Sequence, residues 1–172
     1  QIAAALGARV VAIDVDGARL AELRPYGADL TLDASATDFK ALRAAIAAAA
    51  EEWGCAPWGW KIFECSGHPS GQETAFGLLP HAGTLLVVGF TLAKTHLRLS
   101  NLMALDATVQ GTWGCRPELY PEALAMVVDG RITLRPFIDT HPLSDGPEIL
   151  RRVAEHEIRR RAILTPAGPL EA

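Results

Sequence analysis

Short apolar runs rich in β-branched residues alternate with helical patterns along most of the chain. The strand-like runs occupy residues 9–14, 30–32, 61–65, 84–89 and 108–113. The helical patterns occupy residues 1–6, 17–26, 38–52, 72–79, the later part of 97–107, and 119–128. This alternation is typical of βα units around a parallel sheet, and not of a helical bundle or a β-sandwich. The sequence therefore predicts an α/β fold with a doubly wound parallel sheet.

Capping residues mark the beginnings and ends of these elements. Asp16 is a favourable N-cap for the helix that Gly27 ends. The long alanine-rich helix is predicted to begin at either Thr37 or Asp38. Residues 84–89 are apolar apart from their first position, as expected of a strand buried on both faces. We therefore expect residues 84–89 to form the central strand of the sheet.

The pattern changes near residues 138–141. A basic helical segment at 148–156 and a last strand at 162–164 follow. This tail is shorter than the roughly 40 residues that an unsupported domain needs. We therefore predict one domain at residues 1–138 and a carboxyl-terminal segment at residues 139–172 that belongs to a second domain.

The composition is that of an ordinary globular protein. Hydrophobic residues make up 49% and charged residues 21% of the 172 positions, so the chain can bury a core and is not expected to be disordered. Sixteen Lys and Arg stand against 20 Asp and Glu, which gives a formal net charge of −4. Nucleic-acid binding normally requires a basic surface. We therefore expect no nucleic-acid partner.

The sequence carries no membrane, secretory or self-contained metal signal. Its longest apolar run, residues 84–90, is far shorter than the ~20 residues of a transmembrane helix. Cys55, Cys65 and Cys115 form no C-x-x-C pair, and the five histidines have no metal-ligand spacing. We therefore expect a protein of the reducing cytoplasm, without membrane association and without a metal site in this chain. Because the sequence begins with Gln1, we also expect it to be part of a longer chain.

Asp14 is the first candidate for ligand binding, because it ends the predicted strand 9–14. A carboxylate at this point of a βαβ unit accepts hydrogen bonds from the ribose hydroxyls of an adenosine and repels a 2′-phosphate, which favours NAD over NADP. The alternative is that Asp14 only caps the turn, although Asp16 is already suited to that. Arg19 lies either at the same adenosine edge or in solvent. The usual G-x-G-x-x-G turn would fall before Gln1.

Other candidates lie at the ends of later strands, where ligands of parallel sheets bind. They form two groups of three consecutive residues: Cys65, Ser66 and Gly67, then Val88, Gly89 and Phe90. Each group is either an ordinary turn or a set of backbone groups for a cofactor. Trp113 lies between two glycines and is either a core residue or a wall for a flat ligand. Arg161 ends a run of three arginines that is solvated unless the next strand directs one inward.

Five segments, taken in order, resemble the carboxyl-terminal half of the zinc-dependent medium-chain alcohol dehydrogenases. They are residues 11–16, 63–67, 87–90, 112–115 and 160–166. The resemblance spans essentially the whole chain. It implies a Rossmann-type sheet that lacks its first strand and glycine-rich turn. It also implies that the carboxyl-terminal segment returns to a GroES-like catalytic domain, where its last strand at 162–164 would pair with strands that precede this sequence.

The resemblance also implies an NAD site and a role for each candidate residue. Asp14 would hold the adenosine ribose with Arg19 beside it, and Arg161 would lie near the pyrophosphate. Val88 and Phe90 would offer backbone groups to the nicotinamide carboxamide, and Trp113 would lie near the nicotinamide. Four further members of the cofactor site are Cys65, Ser66, Gly67 and Gly89. Zinc, its ligands and the proton relay are implied to lie in the amino-terminal domain, so this chain alone should have no activity.

Three longer strings resemble, more specifically, a member of this family that oxidises an alicyclic acyl-CoA. They lie at residues 60–67, 98–104 and 113–121. The substrate implied is therefore a small-molecule alcohol carried on a CoA thioester. Three cations are either partners for the CoA phosphates or ordinary surface residues: Lys94, Arg98 and Arg116.

Several alternatives stay open at this point. The family also includes polyol, threonine and simple alcohol dehydrogenases and zinc-free quinone reductases. From other classes, a non-catalytic nucleotide-sensing module and an adenosine-binding methyltransferase also place an acid at the second strand end. A homodimer or homotetramer is expected, with residues 97–112 supplying the last strands of the sheet and the subunit contact.

Overall fold

The computed structural model describes residues 1–155 and 157–166. The chain divides into two compact units. The larger unit is Ala3–Pro121, and the smaller unit is Gln1–Ile2 together with the described residues from Glu122 onward. No helix within these described ranges is long and apolar enough to cross a bilayer.

Helices and strands alternate from Ile2 to Val128, as the hydrophobic pattern predicts. In chain order they are α1 (Ile2–Ala5), β1 (Val11–Asp14), α2 (Gly17–Leu23), β2 (Leu30–Asp33), α3 (Phe39–Glu52), β3 (Lys61–Glu64), α4 (Pro69–Gly77), β4 (Thr84–Val87), α5 (Ser100–Leu105), β5 (Thr108–Gly111) and α6 (Tyr120–Val128). Most strands are one or two residues shorter than the apolar runs that predicted them, because the hydrogen-bonded pairing between strands does not extend over the whole apolar run.

All strand pairs of the larger unit are parallel. β1 pairs with β2, and Asp14 lies opposite Asp33 where both strands end. β4 lies between β3 and β5. The order β2-β1 and the order β3-β4-β5 match positions 3-2 and 4-5-6 of a doubly wound sheet. The described residues supply no strand at position 1 of that order. The predicted α/β fold is confirmed. β4 is the middle strand of the β3-β4-β5 sheet, although position 5 lies next to the edge of the doubly wound order.

Aspartate side chains cap the starts of two of the helices. The Asp16 carboxylate accepts hydrogen bonds from the backbone N–H groups of Ala18 and Arg19, at 3.0 and 3.1 Å, at the start of α2. Asp38, and not Thr37, caps α3 by accepting from the Ala41 N–H at 2.8 Å. Both contacts satisfy donors that a helix start leaves unpaired.

The core of the larger unit lies between α4 and the β3-β4-β5 sheet. Ala75, Phe76, Leu79 and Leu85 form its buried cluster, and partly buried apolar side chains from β3, β4 and α5 pack against them. Within β4 only Leu85 is fully buried. The expectation that this strand is buried on both faces is therefore met only in part.

The smaller unit contains a second βαβ arrangement that the sequence did not predict in full. It consists of β6 (Ile138–Pro142), α7 (Gly146–Ala154) and β7 (Arg161–Thr165). β6 and β7 pair in parallel from Ile138 opposite Arg161 to Pro142 opposite Thr165. The sequence did not predict β6 as the partner of β7, and the expectation that the last strand also pairs with strands preceding this sequence stays a prediction.

The hydrophobic pattern missed β6 because polar residues and a terminal proline interrupt it. His156, the predicted end of α7, lies outside the described residues. The assignment of residues 1–138 and 139–172 to two domains stays a prediction.

Candidate cofactor site at the strand ends

Asp14 and Arg19 form an ion pair where β1 ends. Arg19 Nη1 lies 3.0 Å from Asp14 Oδ2. Asp14 Oδ1 accepts hydrogen bonds from the backbone N–H groups of Val15 and Asp16, at 2.7 and 3.0 Å. The turn into α2 thus fixes the carboxylate, which keeps about a quarter of its side chain exposed. The two residues that the sequence assigned to an adenosine edge do lie together.

Asp33 is a second carboxylate at this edge that the sequence analysis did not single out. It ends β2 directly opposite Asp14. Hydrogen bonds from the Ser35 hydroxyl and the Ser35 N–H lower the pKa of Asp33 below its usual value, so the side chain is charged at neutral pH. The signal was present in the sequence, because an acid ends two successive strands. With Asp16, which caps α2, the β1-β2 edge therefore carries three carboxylates and one positive charge, that of Arg19.

The loops after β3 and β4 are packed against each other with almost no free space. Gly67 has φ +63°, and a Cβ atom on it would lie 2.4 Å from the Phe90 carbonyl oxygen. A Cβ atom on Gly89 would lie 2.1 Å from the Gly67 nitrogen. Only glycine fits at either position without backbone movement. The two predicted groups of three residues therefore form one continuous surface.

Glu64, the last residue of β3, holds these two loops together. Its carboxylate accepts hydrogen bonds from the N–H and hydroxyl of Ser66 and from the N–H of Gly67. Its backbone carbonyl accepts from the N–H groups of Val88 and Gly89, at 2.9 and 2.8 Å. The Val88 and Gly89 N–H groups are therefore already hydrogen-bonded within the protein. From the sequence, Glu64 was predicted only to be part of a strand.

Phe90 and Trp113 bring the end of β4 close to the end of β5. Their ring centroids lie 6.3 Å apart with the rings nearly perpendicular at 79°, an edge-to-face geometry that aromatic pairs favour. Trp113 is 90% exposed and Phe90 is 69% exposed. The reading of Trp113 as a core residue of this chain is therefore wrong. Both rings are available to a flat ligand.

Cys65 lies in the same loop surface, next to Glu64. Partial burial and the neighbouring Glu64 carboxylate raise the pKa of the Cys65 thiol. A raised pKa leaves less thiolate at neutral pH, so the Cys65 sulfur is a weaker nucleophile than an ordinary thiol.

The remaining candidate residues are exposed. Arg161 begins β7 in the smaller unit, and its place beside a pyrophosphate stays a prediction. Lys94, Arg98 and Arg116 are exposed in the larger unit. Among residues 1–155 and 157–166, no three His, Cys, Asp or Glu side chains are grouped so that they could hold a metal ion.

The sequence profile of the zinc-binding dehydrogenases matches residues 1–129, three quarters of the chain. The chain belongs to the zinc-binding dehydrogenase family. The matched region contains β1 through β5 and therefore the whole surface described above. This zinc-binding dehydrogenase chain is also similar to an alcohol dehydrogenase of Geobacillus stearothermophilus, with 27% identity over 95% of the chain and 45% of that protein.

Two solved structures illustrate the fold that this zinc-binding dehydrogenase chain shares. Galactitol-1-phosphate dehydrogenase from Escherichia coli matches with a TM-score of 0.80 and 23% identity, over 96% of this chain and 49% of that one. An alcohol dehydrogenase from Escherichia coli CFT073, complexed with NADH, matches with a TM-score of 0.69 and 18% identity, over 91% and 44%. The chain spans about half the length of the relatives it matches.

Proposed function

We propose that this chain is the cofactor-binding half of an NAD-dependent, zinc-type medium-chain alcohol dehydrogenase. One observation carries the proposal: the fixed Asp14 carboxylate, paired with Arg19, lies at the end of β1 in the same unit as the glycine-packed loops after β3 and β4. Ligands of doubly wound sheets bind outside these strand ends. The complex of a structural relative with NADH supports the choice of cofactor class.

The residues present fit NAD at both ends of the molecule. At the adenosine end, Oδ2 of Asp14 accepts only from Arg19 among the described hydrogen bonds, and a carboxylate oxygen has two lone pairs. It can therefore also accept a ribose hydroxyl. Asp33 adds negative charge against a 2′-phosphate. At the nicotinamide end, the open side of Gly67, Gly89 and Phe90 admits close approach of a flat ring.

NAD⁺ supplies the chemistry of the reaction by accepting a hydride from the alcohol carbon. The residues of this chain bind and orient it. Asp14 and Arg19 fix the adenosine, the Val88 carbonyl and the Phe90 backbone orient the carboxamide, and Trp113 covers the nicotinamide side. Arg161 is proposed to contact the pyrophosphate. Zinc is proposed to take its ligands from outside this chain, and no step is assigned to it here.

We propose an alicyclic hydroxyacyl-CoA as the substrate. The strings at residues 60–67, 98–104 and 113–121 support this, because they resemble 6-hydroxycyclohex-1-ene-1-carbonyl-CoA dehydrogenase of anaerobic benzoyl-CoA degradation. That enzyme oxidises the ring hydroxyl to a ketone.

Three free cysteines support a cytoplasmic location. The exposed β5 edge supports a homodimer or homotetramer.

The test is an assay of the natural full-length protein. NADH formation is followed with NAD⁺ and either 6-hydroxycyclohex-1-ene-1-carbonyl-CoA, a polyol, threonine or a simple alcohol. The proposal expects NAD⁺-dependent oxidation with the CoA thioester as the best substrate. A better polyol or threonine substrate would overturn only the substrate assignment. Failure of the protein to bind NADH would overturn the proposed function as a whole.

A further inference from the structure

Glu64 is the one charged residue of the described chain whose side chain is buried, with 4% of its surface exposed. Burying a carboxylate is costly unless hydrogen bonds compensate it. Here the compensation comes from the backbone N–H and hydroxyl of Ser66 and from the N–H of Gly67, and no salt bridge to Glu64 is found within the described ranges. These hydrogen bonds therefore tie the buried Glu64 carboxylate to the loop after β3.

The first turn of α4 closes over this carboxylate. A Cβ atom on Gly71 would lie 3.4 Å from Glu64 Oε1 and 2.3 Å from the Ser66 hydroxyl oxygen. The amino terminus of a helix carries partial positive charge, which favours a carboxylate nearby. The absence of a side chain at Gly71 thus allows α4 to approach the Glu64 carboxylate. Strand β3, the turn at Ser66 and Gly67, and the first turn of α4 together hold the Glu64 side chain in place.

The same residue restrains both loops through different atoms. Its carboxylate accepts hydrogen bonds from the turn at Ser66 and Gly67, and its backbone carbonyl accepts hydrogen bonds from Val88 and Gly89. Gly67 then lies against the Phe90 backbone, and Gly89 lies against Gly67. A change in the carboxylate contacts would therefore move Gly67, and Gly67 cannot move without displacing the backbone at residues 89–90.

We propose that Glu64 is a positioning residue for the nicotinamide end of the cofactor, acting through Gly67 on the backbone of Gly89 and Phe90. This inference rests on the proposed function, because it assumes that those loops receive NAD(H). Glu64 itself contacts neither cofactor nor substrate. Its carboxylate acts as a hydrogen-bond acceptor, so its role depends on an oxygen atom at this point and not on the negative charge.

Two variants of similar size separate this role from packing. Glu64→Gln keeps a carbonyl oxygen for the Ser66 and Gly67 donors, whereas Glu64→Leu removes it and leaves those donors without a partner. Both are made in the natural full-length protein. Binding of NADH and of AMP is titrated for each. AMP occupies only the adenosine end at Asp14, so its dissociation constant reports whether the fold is intact.

We expect Glu64→Leu to weaken NADH binding by about tenfold or more, the size of effect that an unpaired buried donor produces. AMP binding should stay within about twofold of the wild type, because the β1-β2 edge is not changed. Glu64→Gln should restore NADH binding to near the wild-type value. The KM for NAD⁺ should follow the NADH dissociation constant across the three proteins.

Three results would overturn the inference. They are unchanged NADH binding in Glu64→Leu, equal losses of NADH and AMP binding in that variant, and a Glu64→Gln variant as defective as Glu64→Leu. If Glu64→Leu does not fold, Gly71→Ala decides, since a Cβ atom there would lie 2.3 Å from the Ser66 hydroxyl oxygen and 3.4 Å from Glu64 Oε1 and so disturbs the Glu64 contacts from outside the proposed cofactor site. NADH binding should fall severalfold with AMP binding unchanged, and an unchanged ratio of the NADH and AMP dissociation constants rejects the inference. A wild-type protein that binds AMP but not NADH would reject the proposed function itself.

Discussion

Gly89 packs directly on Gly67, so that a Cβ atom at position 89 would lie 2.1 Å from the Gly67 nitrogen. This distance is far inside van der Waals contact, and the obstructing atom is backbone, which cannot rotate away. Because the two residues follow different strands, their contact fixes the end of β3 against the end of β4. The surface proposed to receive the nicotinamide is therefore set by backbone packing.

Gly89→Ala should damage both the fold and cofactor binding. The added methyl group forces the two loops apart, and overpacking of this kind typically costs about 1–3 kcal/mol. Gly111→Ala is the matched control, because Gly111 ends the neighbouring strand β5 and a Cβ there meets nothing within 4 Å. The free energy of unfolding and NADH affinity should fall in Gly89→Ala only. Equal behaviour of the two variants would contradict the packing argument.

Local sequence signals predicted most of the fold because they act over a few residues. The apolar run at 84–89 identified β4, and Asp16 identified the start of α2. β6 was missed because Pro142 and the polar residues before it disturb the alternation that marks a strand. The partner of β7 was also missed, because strand pairing joins residues distant in sequence.

The candidate site was predictable where a residue type at a strand end carries the signal. Asp14 is such a residue. Its ion pair with Arg19 could be expected, because Arg19 lies in the first turn of the helix that follows Asp14. Glu64 was not, since its burial depends on how Ser66 turns and on how α4 closes over it. The contact between Phe90 and Trp113 likewise joins two loops, and no local pattern indicates it.

Trp113 and Phe90 should contribute to cofactor binding as a pair. Trp113→Ala and Phe90→Ala should each weaken NADH binding severalfold, and the double variant should lose less than the sum. The rings touch, and aromatic pairs typically couple by about 0.5–1.5 kcal/mol. Trp58→Ala is the control, because Trp58 is also exposed but lies in the loop before β3. Strictly additive losses, or an effect of Trp58→Ala of the same size, would count against the pair.

Cys65 should alkylate slowly and should be protected by cofactor. Its raised pKa leaves less thiolate at pH 8 than an ordinary thiol has, so its reaction with iodoacetamide should be slow and should speed up as the pH rises further. Bound NADH should slow the reaction of Cys65 and leave Cys55 unchanged, since Cys55 precedes β3 at the opposite end of the strand. Peptide mass spectrometry measures both rates. Protection of Cys55 alone, or of neither thiol, would contradict the proposed position of the cofactor.

The most direct test of the central claim is the ratio of NADPH to NADH dissociation constants in the natural full-length protein and its Asp14→Ser variant. Like charges brought together cost several kcal/mol, so the wild type should prefer NADH by at least about tenfold, and Asp14→Ser should reduce that preference by about tenfold. Asp29→Ser, which removes the same charge at the start of β2, should leave the ratio unchanged. Equal binding of both cofactors by the wild type, or an unchanged ratio in Asp14→Ser, would contradict the account.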